Sequence, residues 1–379
     1  MNYQRVPYEK GKFSVQDVQF RRALLSDFEA IMAFGDLYEG SDYLWALYEE
    51  FVSNPENYCI VAVLNDVVIG YGMSVIIDGG MTSVQRSGRI SPEFKGNGIF
   101  IALQDELDKH IMRYKHKVLY ETFSTKTKVD KVEPNNPFRP RYKAVFIRET
   151  RTVRFQQNMM PLDLKETSVS QTGVRKLGYA DVKLLFETKE VSSELFPSRR
   201  LYHFMVGYRV LDANIHHLLC KRSGVYVTLT AKDESDLSSS SKKPCTGRGA
   251  YSVGCDFKAE SNSAHLDLES VHRVCMMTNL FCFPTKSKGF CSFLDIYARP
   301  EAPHKHLSAH LQNMKREMQR RFPGRDGVIN VLYGAPLNNE QLLSCFRDVG
   351  LGEMIPNGEK YGVLWERPKQ LISNAMSKI

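Results

Sequence analysis

The sequence lacks the features that mark several common classes of protein. Its eight cysteines are irregularly spaced in 379 residues without a Cys-x-x-Cys pair, so a disulfide framework is not expected. Its richest apolar stretches, 60–64 and 274–283, fall well short of the roughly 18 residues that span a bilayer. The charged N-terminal segment does not resemble a secretory signal. We therefore expect a cytoplasmic protein with reduced thiols and no membrane partner.

Two phosphate-binding motifs are also missing. Neither Gly-x-x-x-x-Gly-Lys-Ser/Thr nor Gly-x-Gly-x-x-Gly occurs, which argues against an NTPase and against a dinucleotide enzyme. His304, His306 and His310 have a spacing that invites a metal interpretation. No acidic or cysteine partner stands at ligand spacing beside them, so no metal is expected.

Positive charge is concentrated in one part of the chain. The formal net charge is +8, and residues 109–154 hold 13 Lys and Arg against 4 Asp and Glu. Such a block indicates either an anionic partner or a solvated face. No nucleic-acid-binding motif accompanies it, so a nucleic acid partner is not expected. A phosphorylated cofactor would also be attracted by this field.

The first half reads as a strand, two helices and a meander of three strands at 58–64, 67–77 and 81–90, joined by Asn-Asp and Asp-Gly-Gly turns. A helix with Leu103, Leu107 and Ile111 on one face follows, and then a strand at 118–124. This order predicts an α+β fold with a mixed, mostly antiparallel sheet flanked by helices.

The connection between the third meander strand and the helix carries two glycines, Gly96 and Gly98. A glycine turn that opens a helix directs several backbone N–H groups at one point and forms an anion site. The alternative is that the glycines only ease the bend.

This segment resembles the acetyl-CoA signature of the GNAT N-acetyltransferase superfamily, Pro-x-x-Arg/Gln-x-x-Gly-x-Gly/Ala between a strand and a helix. Lys95 replaces the Arg or Gln, and Phe100 stands where the family prefers Gly or Ala. A narrower resemblance, to the histidine N-acetyltransferase branch, is carried by Gly40, Asp42, Tyr43, Leu44, the Ile77-Asp78 turn, and the run from Tyr142 to Phe155.

The resemblance implies acetyl-CoA as a co-substrate, with its pyrophosphate held by the amides of the turn and no need for a metal. The cofactor-binding positions carried over are Ile90, Ser91, Lys95, Gly96, Asn97, Gly98, Ile99 and Phe100.

The same resemblance implies candidate catalytic residues. Many relatives place a Glu on the strand before the turn, but residues 84–89 contain no acid. The base is therefore either a water chain or Glu121 on the next strand, for which an exposed structural role is the alternative. Tyr142 falls where the superfamily has its general acid, and a packing role is its alternative.

The acceptor pocket is expected at the turn between the first two helices, around Tyr38, Glu39, Asp42 and Tyr43. The two carboxylates would bind an ammonium or imidazolium group, and the tyrosines would stack on an aromatic substrate. Asp42 is equally suited to cap the following helix, and the tyrosines to packing.

The second half repeats a β-α-β-α-β order between 289 and 366. Its strand-to-helix turn, 299–303, has two prolines and no glycine, which makes a poor phosphate cradle because proline lacks an N–H. We predict a catalytic GNAT domain at 1–158 and a degenerate GNAT-like domain at 159–379, with a Ser-rich loop near 232–250.

Together these features predict an acetyl-CoA-dependent N-acetyltransferase that acetylates the α-amino group of a small-molecule amine by direct attack. The family resemblance points to L-histidine as the acceptor. Another amino acid, a polyamine or a protein N-terminus stays open as the acceptor. A homodimer stays open as the oligomeric state. The rival function is a non-enzymatic binding module, in which Phe100 blocks the cofactor and the basic block engages RNA or an acidic protein.

Overall fold

The structure is a computed structural model, and it describes residues 14–35, 41–114, 117–128, 142–156, 173–230, 265–286, 289–300, 302, 304–351, 355 and 360–368. Tyr38, Glu39, Gly40 and the Ser-rich stretch lie outside these residues. Within the described ranges, no helix has both the length and the apolar character needed to cross a membrane.

The first half follows the order read from the sequence. Its elements are β1 (Gln19–Arg22), α1 (Phe28–Met32), α2 (Leu44–Ser53), β2 (Asn57–Leu64), β3 (Val67–Ile77), β4 (Thr82–Ile90), α3 (Ile99–Tyr114), β5 (Tyr120–Lys128) and β6 (Lys143–Phe155). The β2–β3 hairpin closes through Asn65 and Asp66, which both take the positive φ that a two-residue turn requires.

The second half contains more short helices and a separate hairpin. Its elements are β7 (Val174–Lys176), α4 (Tyr179–Glu187), α5 (Lys189–Leu195), β8 (Arg200–His203), β9 (Val206–Arg209), α6 (Ile215–Leu218), β10 (Ser223–Leu229), α7 (Leu268–His272), β11 (Val274–Thr285), β12 (Gly289–Ala298), α8 (His304–Arg321), β13 (Gly327–Tyr333), α9 (Asn339–Val349) and β14 (Lys360–Pro368).

One twelve-stranded sheet joins both halves in the order β1-β2-β3-β4-β5-β14-β6-β13-β12-β11-β10-β7. Among the described strands, pairing is antiparallel except between β4 and β5 and between β12 and β13. The expected mixed, mostly antiparallel sheet flanked by helices is therefore confirmed. The domain boundary at 158 falls outside the described residues and stays a prediction.

The two halves exchange their last strands. β14, from the end of the chain, lies between β5 and β6 of the first half. β6 in turn pairs with β13 of the second half. Each half thus completes the sheet of the other.

The helices divide between the two faces of the sheet. On one face, α3 lies so close to β3 that a Cβ on Gly72 would clash with Leu103 Cδ2. On the other face, α1 and α2 cover β2 and β3, and α2 buries its residues Leu44 and Tyr48 against the sheet. The core at the centre of the sheet combines both halves, since Leu47 of α2 packs with Phe281 and Leu364.

Candidate active site

A cleft opens between β4 and β5. The two strands pair in parallel over only three positions, where Thr82–Val84 of β4 lie opposite 120–122 of β5. Among the described strands, none pairs with 85–90 on that side, while the other edge of β5 pairs with β14 along its whole length. The opening leaves backbone groups of β4 facing the cleft, where a bound molecule could hydrogen-bond to them.

A bulge interrupts β4 within the cleft. Tyr71 of β3 pairs with Arg89, and Met73 pairs with Arg86. β4 therefore has one extra residue at this register shift. Ser87, at the shift, has a φ of 60°. Such a bulge bends the strand and locally interrupts its pairing, and bulges are common next to active sites.

The glycine turn leads from the end of β4 into α3. Gly96 and Gly98 adopt φ values of 85° and 77°, which only glycine accepts without strain. Asn97 Nδ2 donates to Phe94 O at 3.2 Å and braces the loop. Within the described residues, the amides of 96–100 have no protein acceptor. They form a cradle for an anion at the N-terminus of a 16-residue helix.

The side chains at the predicted cofactor positions have different surroundings. Ile90 and Ile99 are buried in the core beneath α3, so only their backbones are available to a ligand. The amide of Ser91 donates to Ile69 O at 2.9 Å, which ties the turn to β3. The Lys95 side chain is exposed at the rim.

Phe100 directs its ring to β4. A Cβ on Gly88 would lie 2.6 Å from Phe100 Cε2, so the ring rests directly on the backbone of the bulged strand. The side chain remains 40% exposed. The glycine at 88 is therefore required by close approach, and the bulky residue at 100 is accommodated by β4.

The two candidate catalytic residues meet in the structure. The hydroxyl of Tyr142 donates to Glu121 Oε1 at 2.5 Å, and both side chains are buried. The exposed role considered for Glu121 is therefore wrong. Burial, together with the neighbouring Glu121 charge, raises the pKa of Tyr142, so its proton is retained at neutral pH.

Arg367 of β14 completes this cluster. Its Nε donates to Glu121 Oε2 at 2.9 Å, and its Nη2 donates to Asp108 Oδ2 at 2.8 Å. Asp108 also accepts from Gln85 Nε2 at 2.9 Å. Burial, reinforced by the charge of Glu121, raises the pKa of Asp108 to about 7. A hydrogen-bonded chain thus runs from β4 in the cleft to Tyr142.

Sequence reasoning missed Asp108, Gln85 and Arg367. Arg367 is 246 positions from Glu121 in the chain, and no local pattern connects them. Gln85 stands in a strand in which most residues are polar, so nothing in the sequence distinguished it from its neighbours.

On the opposite face, Asp42 makes a bidentate ion pair with Arg89 of β4, at 2.7 and 3.2 Å. Its Oδ1 also accepts from the amide of Leu44 at 2.9 Å, which favours the capping alternative. The hydroxyl of Tyr43 lies 3.0 Å from Ser87 Oγ at the bulge. Tyr43 therefore reaches the cleft, while Tyr38 and Glu39 lie outside the described residues.

A cavity of about 860 Å³ opens on this face of the cleft. It extends from Arg86 and Ser87 of β4, past Lys126 of β5, to Phe293 of β12. The β8–β9 hairpin supplies Phe204 at its tip, where that residue has a φ of 51°. The second half therefore forms part of the wall of this cavity.

An adjoining cavity of about 910 Å³ shares Arg86 with the first. It contains His203, His216 and His217. Burial lowers the pKa of His203 and of His217 to about 3, so both imidazoles are neutral at physiological pH. Within the described residues no group of three His, Cys, Asp or Glu side chains is placed to hold a metal.

The corresponding region of the second half is closed. β12 and β13 pair through six successive positions, from Phe290 with Gly327 to Asp295 with Leu332. No opening comparable to that between β4 and β5 exists over this length. His310, in the helix that follows, is buried between the hydroxyls of Thr278 and Thr228, at 2.8 and 3.3 Å.

The glycine turn between a strand and a helix is the feature that the GNAT resemblance implies, and the structure places it beside a separating parallel strand pair and a bulge on the first strand. No family model matches the chain. The chain is 24% identical over 233 residues to the histidine N-acetyltransferase of Scomber australasicus, a match covering 57% of this chain and 66% of that protein, slightly under two thirds. The resemblance to N-acetyltransferases is thereby confirmed.

Two solved structures are also similar over most of the chain. The tandem GNAT protein from the clavulanic acid biosynthesis pathway has a TM-score of 0.48 at 12% identity, covering 93% of this chain and 98% of that one. The Saccharomyces cerevisiae N-myristoyltransferase with bound myristoyl-CoA has a TM-score of 0.49 at 9% identity, covering 96% and 84%.

Proposed function

We propose that this protein is an acetyl-CoA-dependent N-acetyltransferase that acetylates the α-amino group of a small molecule, with L-histidine as the acceptor. The observation that carries the proposal is the separation of β4 from β5 beside a glycine turn whose amides, 96–100, have no protein acceptor within the described residues. The histidine acceptor is supported by the relative from Scomber australasicus.

The residues present fit acetyl-CoA. The amides of 96–100 would receive the pyrophosphate, assisted by the field at the N-terminus of α3. Lys95 would add a point charge, although it lacks the bidentate fork of an arginine. The open edge of β4 at 85–90 offers backbone hydrogen bonds to an extended amide-containing chain such as pantetheine.

The reaction consists of one acyl transfer. The neutral amine attacks the thioester carbonyl, a C–N bond forms, and the C–S bond breaks. An α-amino group titrates near 8, so a weak base suffices to remove its proton. Glu121 lies on the α3 face, opposite the acceptor cavity, so it acts on the amine only through a water chain and through its bonded neighbours Arg367, Asp108 and Gln85. Tyr142 supplies a proton to the departing thiolate. The hydrogen-bonded chain through Arg367 fixes the positions of both groups.

The first experiment measures thermal stabilisation by coenzyme A. At a hundred times Kd, binding contributes about 2.7 kcal/mol, which corresponds to a rise in Tm of about 3 °C for a chain of this length. Gly98→Ala should lose this shift, because an alanine at a φ of 77° distorts the turn. The matched control is Gly173→Ala, which carries a similar strain at a φ of 63° beside β7, the strand at the far end of the sheet from β1.

The second experiment follows thiol release with acetyl-CoA and a panel of amines. Histidine should give the highest kcat/KM, and a higher value for a polyamine or a peptide N-terminus would replace histidine as the acceptor. Absence of any thermal shift at millimolar coenzyme A would falsify the enzymatic proposal.

A further inference from the structure

Arg86 occupies the boundary between the two cavities of the acceptor face. It lies on β4 immediately before Ser87, the residue at the bulge. The guanidinium carbon is 4.6 Å from the centre of the Phe204 ring, 5.3 Å from that of Phe51 and 5.4 Å from that of Tyr43. Three rings, from both halves of the chain, therefore hold this cation in one place.

These rings do not satisfy the hydrogen-bonding groups of Arg86. A guanidinium has five N–H donors in its plane, whereas a ring face accepts only the charge. Among the described residues, Arg86 has no carboxylate partner and no hydrogen bond. Arg89 on the same strand is engaged in an ion pair with Asp42. Arg86 therefore differs from Arg89 in offering its guanidinium N–H donors to a ligand.

The first of these two cavities is cationic. Lys126, Arg154 and Lys360 line it together with Arg86, and Asp326 is the one acidic residue among the described lining residues. Lys126 is accessible from the cavity and donates to Asn330 Oδ1 at 2.5 Å. A chamber of this charge repels a polyamine and attracts a molecule with its own negative group.

We propose that Arg86 binds the carboxylate of the acceptor, so that the substrate is a free α-amino acid; this inference rests on the proposed function. A planar fork of donors matches a carboxylate in two parallel hydrogen bonds. One carbon separates the α-carboxylate from the α-amino group. An amino acid held at Arg86 therefore places its amine within a few ångströms of the bulge at Ser87, as acyl transfer to that amine requires.

The test compares histidine with histamine, which is histidine without the carboxylate. Arg86→Gln should raise the KM for histidine by about 10- to 100-fold, the usual range for a lost charge-assisted hydrogen bond, and leave the KM for histamine unchanged. Arg86→Lys should fall between the two. The control is Arg22→Gln, because Arg22 also packs over an aromatic ring, Tyr58 at 4.6 Å, but outside the cavities.

Two further readouts separate the possible failures. The thermal shift by coenzyme A should be the same in Arg86→Gln as in the wild type, which shows that the variant is folded. Calorimetric titration with histidine and histamine measures binding without turnover, so it decides the role of Arg86 even if no thiol is released. An equal effect of Arg86→Gln on both ligands, or no effect on either, overturns the inference.

Discussion

The ion pair between Asp42 and Arg89 gives the most direct test of how the acceptor face is built. Asp42→Asn removes the charge but keeps an oxygen that can accept from the amide of Leu44. The Arg89 side chain is 1% exposed and that of Asp42 is 15% exposed. Removing one partner of such a buried pair costs about 3–5 kcal/mol, because the remaining charge stays buried.

Asp42→Ala should cost about 1 kcal/mol more, since it also removes the cap of α2. Both losses are large against the 5–15 kcal/mol that ordinarily stabilises a folded domain. The double variant Asp42→Asn with Arg89→Met should be more stable than the sum of the single effects, because neither charge is then left behind.

Urea unfolding, followed by circular dichroism, measures these free energies from the shift in midpoint at constant slope. The reasoning would be refuted if Asp42→Asn lost less than 1 kcal/mol of stability while the KM for the amine rose tenfold. That result would assign the carboxylate to the substrate ammonium.

Two further predictions concern buried titratable groups. Tyr142→Phe should lower kcat by about 10²- to 10³-fold with little change in KM if the hydroxyl is the general acid, and an unchanged kcat in steady-state assays would leave Tyr142 with packing alone. The pKa of His310 is lowered to about 3 by burial, below the value near 6.5 in the unfolded chain; its contribution to stability is therefore complete above about 6.5 and is lost as the pH falls. Each pH unit below 6.5 should cost about 1.4 kcal/mol for this group, and His310→Gln should reduce the change in urea midpoint between pH 7.5 and 5.5, with the remainder due to groups such as His203 and His217.

Much of the local structure could be predicted from the sequence. The meander of β2, β3 and β4 follows from runs of apolar residues separated by turn residues, and its observed bounds differ from the predicted ones by one residue at most. The glycine turn was found because Gly96 and Gly98 have few other reasons to stand together before a helix. Short-range patterns of this kind reflect backbone preferences that act within a few residues.

Contacts between distant parts of the chain could not be predicted in this way. Arg367 binds Glu121, and Phe204 packs on Arg86, although nothing in the neighbourhood of either residue indicates its partner. These pairs depend on the order of strands in the completed sheet. Asp42 shows a related difficulty, because one carboxylate suits a helix cap, an ion pair or a ligand, and only the position of Arg89 distinguishes them.

Because β6 and β14 are exchanged, the cleft can be completed only at a late stage of synthesis. The wall of the cleft on the β5 side is finished only by 360–368, which are synthesised more than two hundred residues after β5. Until they emerge, β5 has an uncovered edge and Glu121 has no guanidinium beside it. A nascent chain that has completed its glycine turn consequently still lacks the ion pair of Glu121, and a protease that removed β14 would break a hydrogen-bonded cluster more than two hundred residues upstream.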